Sequence, residues 1–269
     1  MPYATLNGIR VHYETYGAGD PVLLISGLGG PAVGWLLQVR ELSQRYHVIT
    51  FDNRGVGETA MPLALEYATA DLAEDARALL DHLGVKRAHV IGASMGGTIA
   101  MELAIRHPGR VRTLALCCTW AQGDGRFLRI IDAWRALAPQ LSLEDRFRHL
   151  LFPWLYSPAF LGDSARVADA IKRTLAYPFP TKAEAIERQG RGLLEWNGTR
   201  LRELGKLKAP TLVLVGRDDV LTPPAFSRGL AALIPKARLR VIPGGHGFFI
   251  EEAERFNRAI LAFLGPVKK

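Results

Sequence analysis

Three side chains in this sequence have the types for nucleophilic acyl transfer: Ser94, Asp219 and His246. A serine hydroxyl attacks a carbonyl when a base takes its proton. An imidazole serves as that base when a carboxylate holds its tautomer and its developing charge. Ser94 lies in Gly92-Ala93-Ser94-Met95-Gly96, between a short apolar run ending at Ile91 and a helical run from Met95 to Arg106. A serine at the apex of so sharp a strand-to-helix turn takes strained backbone angles. Side chains two positions to either side would collide with the neighbouring chain, and glycine removes both collisions. Such a turn stands the hydroxyl clear of the sheet, at a helix N-terminus whose N–H groups can hold an oxyanion. Alone, the same pattern also describes a glycine-rich turn with a helix-capping serine.

The elements that would position these residues follow from hydrophobic periodicity. Tyr3–Leu6 and Ile9–Thr15 flank Asn7-Gly8, a hairpin signal. Pro21–Ile25, His47–Phe51, Ala88–Ile91, Val111–Cys117, Thr211–Val215 and Arg238–Ile242 read as strands, most of them continuous apolar runs of the kind buried on both faces. Helical patterns over Trp35–Arg45, Thr69–Leu83, Met95–Arg106, Pro224–Ile234 and Glu251–Phe263 alternate with them. Alternating strands and helices predict a mostly parallel sheet of eight strands, covered on both faces. The alternation breaks at Thr119. From Gly125 to Arg202 only helical pattern appears, over Phe127–Leu137, Leu143–Leu155, Ser164–Tyr177 and Lys182–Trp196, which predicts an inserted cap of about four short helices. The expected division is residues 1–120 and 200–269 for the core and 121–199 for the cap.

Ligands of such sheets bind beyond the carboxyl ends of the strands. Ser94, Gly216-Arg217-Asp218-Asp219 and Gly244-Gly245-His246-Gly247 all follow strands directly. With these motifs in place, the chain resembles the α/β-hydrolases over its whole length. Ser94 matches the family nucleophile, Asp219 the acid and His246 the base, in the family's chain order. Asp218 and Asp124 are rival positions for the acid. Asp52-Asn53-Arg54-Gly55-Val56-Gly57-Glu58-Thr59 is similar to a turn common in the group. Within the family the chain most resembles carboxylesterases, enol-lactonases of the 3-oxoadipate type and cofactor-free haloperoxidases. The resemblance implies an oxyanion hole from the N–H groups of Leu28 and Met95. The family's oxyanion loop begins His-Gly; here it is Ser26-Gly27, and a serine there is expected to brace the loop with a hydrogen bond of its own.

Substrate contacts are expected from Gly27 in that loop, from Trp120 where the chain leaves the sheet, and from Trp134 in the cap. Packing is an equal account of Trp120, and the cap aromatics, Trp134 among them, are expected mostly to pack between helices, with a few lining the pocket. Arg54 is expected to brace its turn. The implied reaction is hydrolysis of a carboxylic ester through an acyl-enzyme on Ser94. The alternatives are an enol-lactonase or carbon–carbon hydrolase whose anionic substrate pairs with Arg126, Arg129, Arg135 or Arg191, a perhydrolase or haloperoxidase, and a small-molecule receptor without catalysis. No cofactor is required, and no His/Cys/Asp cluster has metal-ligand spacing.

Composition bounds the remaining classes. The chain has 269 residues, 48% hydrophobic and 22% charged, and a formal net charge of +8. Its basic residues are scattered, so they read as solvated faces, and no nucleic-acid partner is expected. The uncharged stretch Pro21–Val39 carries Gly27, Gly29, Gly30 and Pro31 at its centre. It reads as strand, loop and helix, so no membrane association is expected. Cys117 and Cys118 are adjacent in an apolar run, poorly placed for a disulfide with each other. With an N-terminus that enters a strand within a few residues, they lead to the expectation of a cytoplasmic protein. The resemblance implies a small ester or lactone as substrate, and the chain is expected to be a monomer or a homodimer.

Overall fold

The computed structural model describes residues 2–265. Asn7 and Gly8 both take positive φ, 48° and 78°, the backbone of a tight hairpin turn whose twist suits its strands. They join β1 (Tyr3–Leu6) to β2 (Ile9–Tyr16), with Leu6 opposite Ile9. The other strands are β3 (Pro21–Ile25), β4 (His47–Phe51), β5 (Ala88–Ala93), β6 (Val111–Cys117), β7 (Thr211–Gly216) and β8 (Arg238–Ile242). They form one eight-stranded sheet in the order β1-β2-β4-β3-β5-β6-β7-β8. The β1·β2 and β2·β4 pairs are antiparallel, and every later pair is parallel.

The continuous apolar strands serve two cores at once, because successive side chains point to opposite faces. Leu23, Ile25, Val90, Leu114, Leu116 and Val213 enter one core. Val22, Leu24, Ile91, Ala115, Leu212 and Leu214 enter the other. The first is covered by α2 (Thr69–His82) and α3 (Met95–Arg106), the second by α1 (Leu36–Leu42) and the helix Ala253–Leu264. The helix expected over Trp35–Arg45 is shorter and follows a 3₁₀ turn, Ala32–Trp35. That expected over Glu251–Phe263 runs over Ala253–Leu264 and follows a separate short helix, Phe248–Glu251.

Between β6 and β7 the regular structure is all helical. α4 (Gly125–Leu137) begins at Asp124, whose carboxylate accepts from the N–H of Phe127 at 2.9 Å. The helices Ser164–Ala176 and Ala183–Trp196 lie close to their expected spans. The expected helix over Leu143–Leu155 is instead three pieces: Leu143–Asp145, a π-helical stretch Arg146–Leu151, and Phe152–Leu155. Pro153 has no N–H to give to residue 149, so the α ladder fails there and a wider turn precedes it. The cap is bonded into the core. Glu102 of α3, 1% exposed, accepts from Trp196 Nε1 at 3.0 Å and from Arg200 Nε at 2.9 Å. Trp134, Leu193 and Trp196 join the larger core.

Candidate active site

Ser94 stands between β5 and α3 with φ 55° and ψ −123°, a backbone region that a non-glycine residue rarely occupies and that the surroundings must impose. They do so by close packing. A Cβ on Gly92 would overlap the carbonyl of Gly96, and a Cβ on Gly96 would overlap the carbonyl of Ile25 at the end of β3. The Ser94 N–H donates to Cys117 O at 2.8 Å, and the Ser94 carbonyl accepts from Thr119 Oγ1 at 2.8 Å. Gly27 lies against the same side chain: a Cβ there would stand 3.1 Å from Ser94 Cβ and 3.7 Å from its Oγ. Among the described residues, the N–H groups of Leu28 and Met95 donate to no protein acceptor.

Asp219 and His246, the expected acid and base, meet in the loops that follow β7 and β8. Asp219 Oδ2 lies 2.9 Å from His246 Nδ1. Its Oδ1 accepts from the N–H groups of Leu221 and Thr222, at 3.0 and 2.8 Å. Asp219 is 3% and His246 4% exposed, so this pair is shielded from water. Asp218 is exposed, and Asp124 is occupied in capping α4, which separates Asp219 from both rivals. Glycine again makes the approach possible, since a Cβ on Gly216 would overlap the carbonyls of Gly244 and Gly245. Ser94 Oγ and His246 Nε2 form no hydrogen bond in this structure. The connection between the two halves runs through Thr222, whose hydroxyl reaches Asp219 Oδ2, His246 Nδ1 and the carbonyl of Cys118. Burial pushes the Cys117 and Cys118 thiols up, so both stay neutral beside the site.

The oxyanion loop is braced by other residues than Ser26. The Ser26 hydroxyl makes no hydrogen bond among the described residues, which corrects the expectation for that serine. Its carbonyl accepts from Asn53 Nδ2 at 3.1 Å. Asp52, 1% exposed, accepts from Ala32 N at 2.7 Å, Glu58 N at 3.1 Å and His12 Nδ1 at 3.0 Å. That hydrogen bond to Asp52 raises the His12 imidazole above its ordinary value. From the cap, Gln189 Oε1 accepts from Gly29 N at 2.9 Å while its Nε2 donates to Arg54 O at 3.0 Å. Thr181 Oγ1 donates to Gly29 O at 2.8 Å. The histidine loop is held similarly: Gly247 N donates to Leu155 O of the cap at 2.6 Å, and Glu251 accepts from Gly245 N at 2.8 Å and from Ser157. Gln189, Thr222 and Glu251 carry no local motif that sequence reasoning could have used.

Trp120 and Trp134 are both core residues, 0% and 4% exposed, with the Trp120 ring centred 4.4 Å from that of Phe127. Their indole N–H groups are buried without a partner. Arg54 braces its turn as expected, through a bidentate pairing with Asp75. The four arginines considered for a substrate carboxylate are placed otherwise. Arg126 and Arg129 are exposed, and Arg135 and Arg191 both pair with Glu187. Among the described residues no group of three or more His, Cys, Asp or Glu side chains could hold a metal, and no helix is long and apolar enough to cross a membrane.

A mostly parallel sheet with a strained serine after β5, an aspartate after β7 and a histidine after β8 defines a hydrolase of the α/β class. The family profile described as the alpha/beta hydrolase fold matches residues 20–253, and the chain belongs to that family. It is similar to a protein of Variovorax paradoxus named, provisionally, as the carbamate hydrolase RutD, 37% identical over 267 residues, 96% of this chain and 97% of that protein. A crystal structure of a hydrolase from Pseudomonas aeruginosa superposes with a TM-score of 0.88 at 27% identity, covering 98% of each chain. The enol-lactonase of Burkholderia xenovorans superposes at 0.83 and 28% identity, over 98% of this chain and 99% of that one.

Proposed function

We propose that this hydrolase cleaves a small carboxylic ester or lactone through an acyl-enzyme on Ser94. His246 takes the hydroxyl proton at Nε2 as Ser94 Oγ forms a bond to the carbonyl carbon. The carbonyl oxygen gains negative charge and is met by the N–H groups of Leu28 and Met95. Asp219 stays ionised, holds Nδ1–H and stabilises the imidazolium. The tetrahedral species collapses, the proton passes from Nε2 to the leaving oxygen, and water then attacks the acyl-enzyme with His246 again as base. The reading is carried by the Asp219–His246 contact of 2.9 Å, taken together with a serine held at φ 55° after β5 and the unpartnered N–H groups of Leu28 and Met95. A serine–histidine hydrogen bond of this kind is often long in a free enzyme and tightens once substrate is bound.

A carbamate is the second reading, favoured by the name given to the Variovorax relative. The attack and the oxyanion are the same. The carbamoyl-enzyme turns over more slowly, because its nitrogen lone pair makes the carbonyl less electrophilic. The test measures p-nitrophenyl acetate, a simple lactone and a p-nitrophenyl carbamate with wild type and Ser94→Ala. Loss of a nucleophile costs turnover about a millionfold. A Ser94→Ala protein as active as wild type overturns the assignment, and the ranking of the three substrates chooses between ester, lactone and carbamate.

A further inference from the structure

Thr222 is 0% exposed and places one hydroxyl at the centre of the acid–base pair. Its Oγ1 lies 2.8 Å from Asp219 Oδ2, 3.0 Å from Cys118 O and 3.1 Å from His246 Nδ1, while Oδ2 and Nδ1 are themselves 2.9 Å apart. A hydroxyl has one proton to give and lone pairs to accept with. Two acceptors, a carboxylate and a carbonyl, compete here for that single proton. The third neighbour, Nδ1, must carry a proton of its own if Nε2 is to act as base. It therefore faces two oxygens, Oδ2 and Oγ1.

We propose that Thr222 is a positioning residue whose hydroxyl turns between Asp219 and the Cys118 carbonyl as His246 gains and loses its charge. With the imidazole neutral, the hydroxyl proton goes to Oδ2, the stronger acceptor, and takes up part of the carboxylate's charge. When the imidazole becomes a cation, the proton turns to Cys118 O. Oδ2 is then left to Nδ1–H alone, and a lone pair of Oγ1 faces the same N–H. No covalent bond to Thr222 forms or breaks, and its proton stays on oxygen throughout. The attraction between Asp219 and His246 thus strengthens as charge develops, which stabilises the transition state over the ground state and is read in kcat rather than in KM.

The backbone supports the motion. Cys118 leaves β6 with φ 42° and presents its carbonyl to Thr222. Thr222 is fully buried and its N–H donates to Asp219 Oδ1 at 2.8 Å, while its hydroxyl stands within hydrogen-bond distance of both acceptors. Threonine is needed for the hydroxyl and not for its volume, since valine fills nearly the same space.

The inference rests on His246 being the base of the proposed reaction, so its test has an arm that does not need turnover. In protein labelled with ¹⁵N at histidine, the Nδ1–H resonance of His246 is recorded with the imidazole neutral and again protonated by acidification. Thr222→Val is expected to move this resonance in both states, and Thr222→Ser to leave it near wild type. With p-nitrophenyl acetate, Thr222→Val is expected to lower kcat about tenfold with KM within about twofold, and Thr222→Ser to recover kcat to within about threefold. If Thr222→Val does not fold, Thr222→Ala takes its place in both arms. A resonance unchanged by loss of the hydroxyl overturns the proposal, and so does a Thr222→Ser protein as slow as the valine or alanine variant. Absence of both ester and lactone turnover in wild type overturns the proposed function instead, and the resonance alone then decides the role of Thr222.

Discussion

Gln189 offers a test of how the cap is joined to the oxyanion loop. It is 0% exposed, accepts from Gly29 N at 2.9 Å and donates to Arg54 O at 3.0 Å. Gln189→Glu keeps the shape and changes one end. The oxygen facing Gly29 still accepts. The other oxygen meets the Arg54 carbonyl, and two acceptors face each other unless the carboxyl is protonated. Burial and the missing donor both favour the neutral acid, so the introduced carboxyl has a folded-state pKa above the value of about 4.3 for an unfolded glutamate. Below that unfolded value both states are protonated and the variant resembles wild type. As pH rises through the folded value, the proton held by the folded state is lost and stability goes with it. A shift of about two units corresponds to about 2.7 kcal/mol, and an unsatisfied buried carbonyl costs a similar 1–3 kcal/mol or so. At about 2–4 °C per kcal/mol for a chain of this size, Gln189→Glu should melt about 5–10 °C below wild type at pH 7.5 and close to it near pH 4. Thermal melts of the two proteins side by side across that range measure the difference. A gap that does not widen with pH refutes the reasoning. Gln189→Leu removes both hydrogen bonds at every pH. Because Gly29 is the neighbour of Leu28, it should also slow ester turnover about a hundredfold.

Other contacts make equally definite predictions. Asp219→Asn turns an amide N–H₂ toward His246 Nδ1 or favours the wrong imidazole tautomer, and kcat should fall about ten-thousandfold with the fold intact by circular dichroism. Burial pushes the Glu102 carboxyl up, but hydrogen bonds from Arg200, Arg106 and Trp196 outweigh it and hold the group below the ordinary glutamate range. Its contribution is therefore present above the unfolded value and lost as pH falls through the folded one, so Glu102→Gln should be less stable at neutral pH and show a shallower acid loss in urea melts. The His12 imidazole is raised by its hydrogen bond to Asp52. That stabilisation is complete below the unfolded value of about 6.5 and fades as pH rises through the folded one. His12→Gln should flatten the fall in melting temperature on the alkaline side. Gly96→Ala puts a methyl into the backbone of Ile25 and should give little folded protein on expression, whereas Gly109→Ala, with open space around it, should fold as wild type does.

What the sequence makes legible here is what has a local steric or periodic cause. Gly92 and Gly96 must lack side chains because β5, α3 and the end of β3 touch there, and that requirement leaves a pattern within five residues. The strands read as buried because both faces of Leu23–Leu24 or Val213–Leu214 meet a core. Asp219 and His246 are found by their place after strands, and burial then separates Asp219 from Asp218. Residues that satisfy hydrogen bonds across long stretches of chain leave no such mark. Gln189 serves a loop 160 residues earlier, and an amide on an amphipathic helix looks like any other polar residue until the loop is beneath it. Ser26 shows the converse. A hydroxyl beside the oxyanion loop suggests a brace by position, yet Asp52, Asn53 and Gln189 already supply the donors and acceptors that the loop needs. The cap is where pattern fails most, because Pro153 interrupts one apolar periodicity with a π-helical turn and Trp134 spends its ring on packing. The positions of Ser94, Asp219 and His246 are set by the backbone at the ends of β5, β7 and β8 and can be read in order along the chain. How the cap helices settle on one another has no such local mark, because it depends on contacts between segments far apart in the chain.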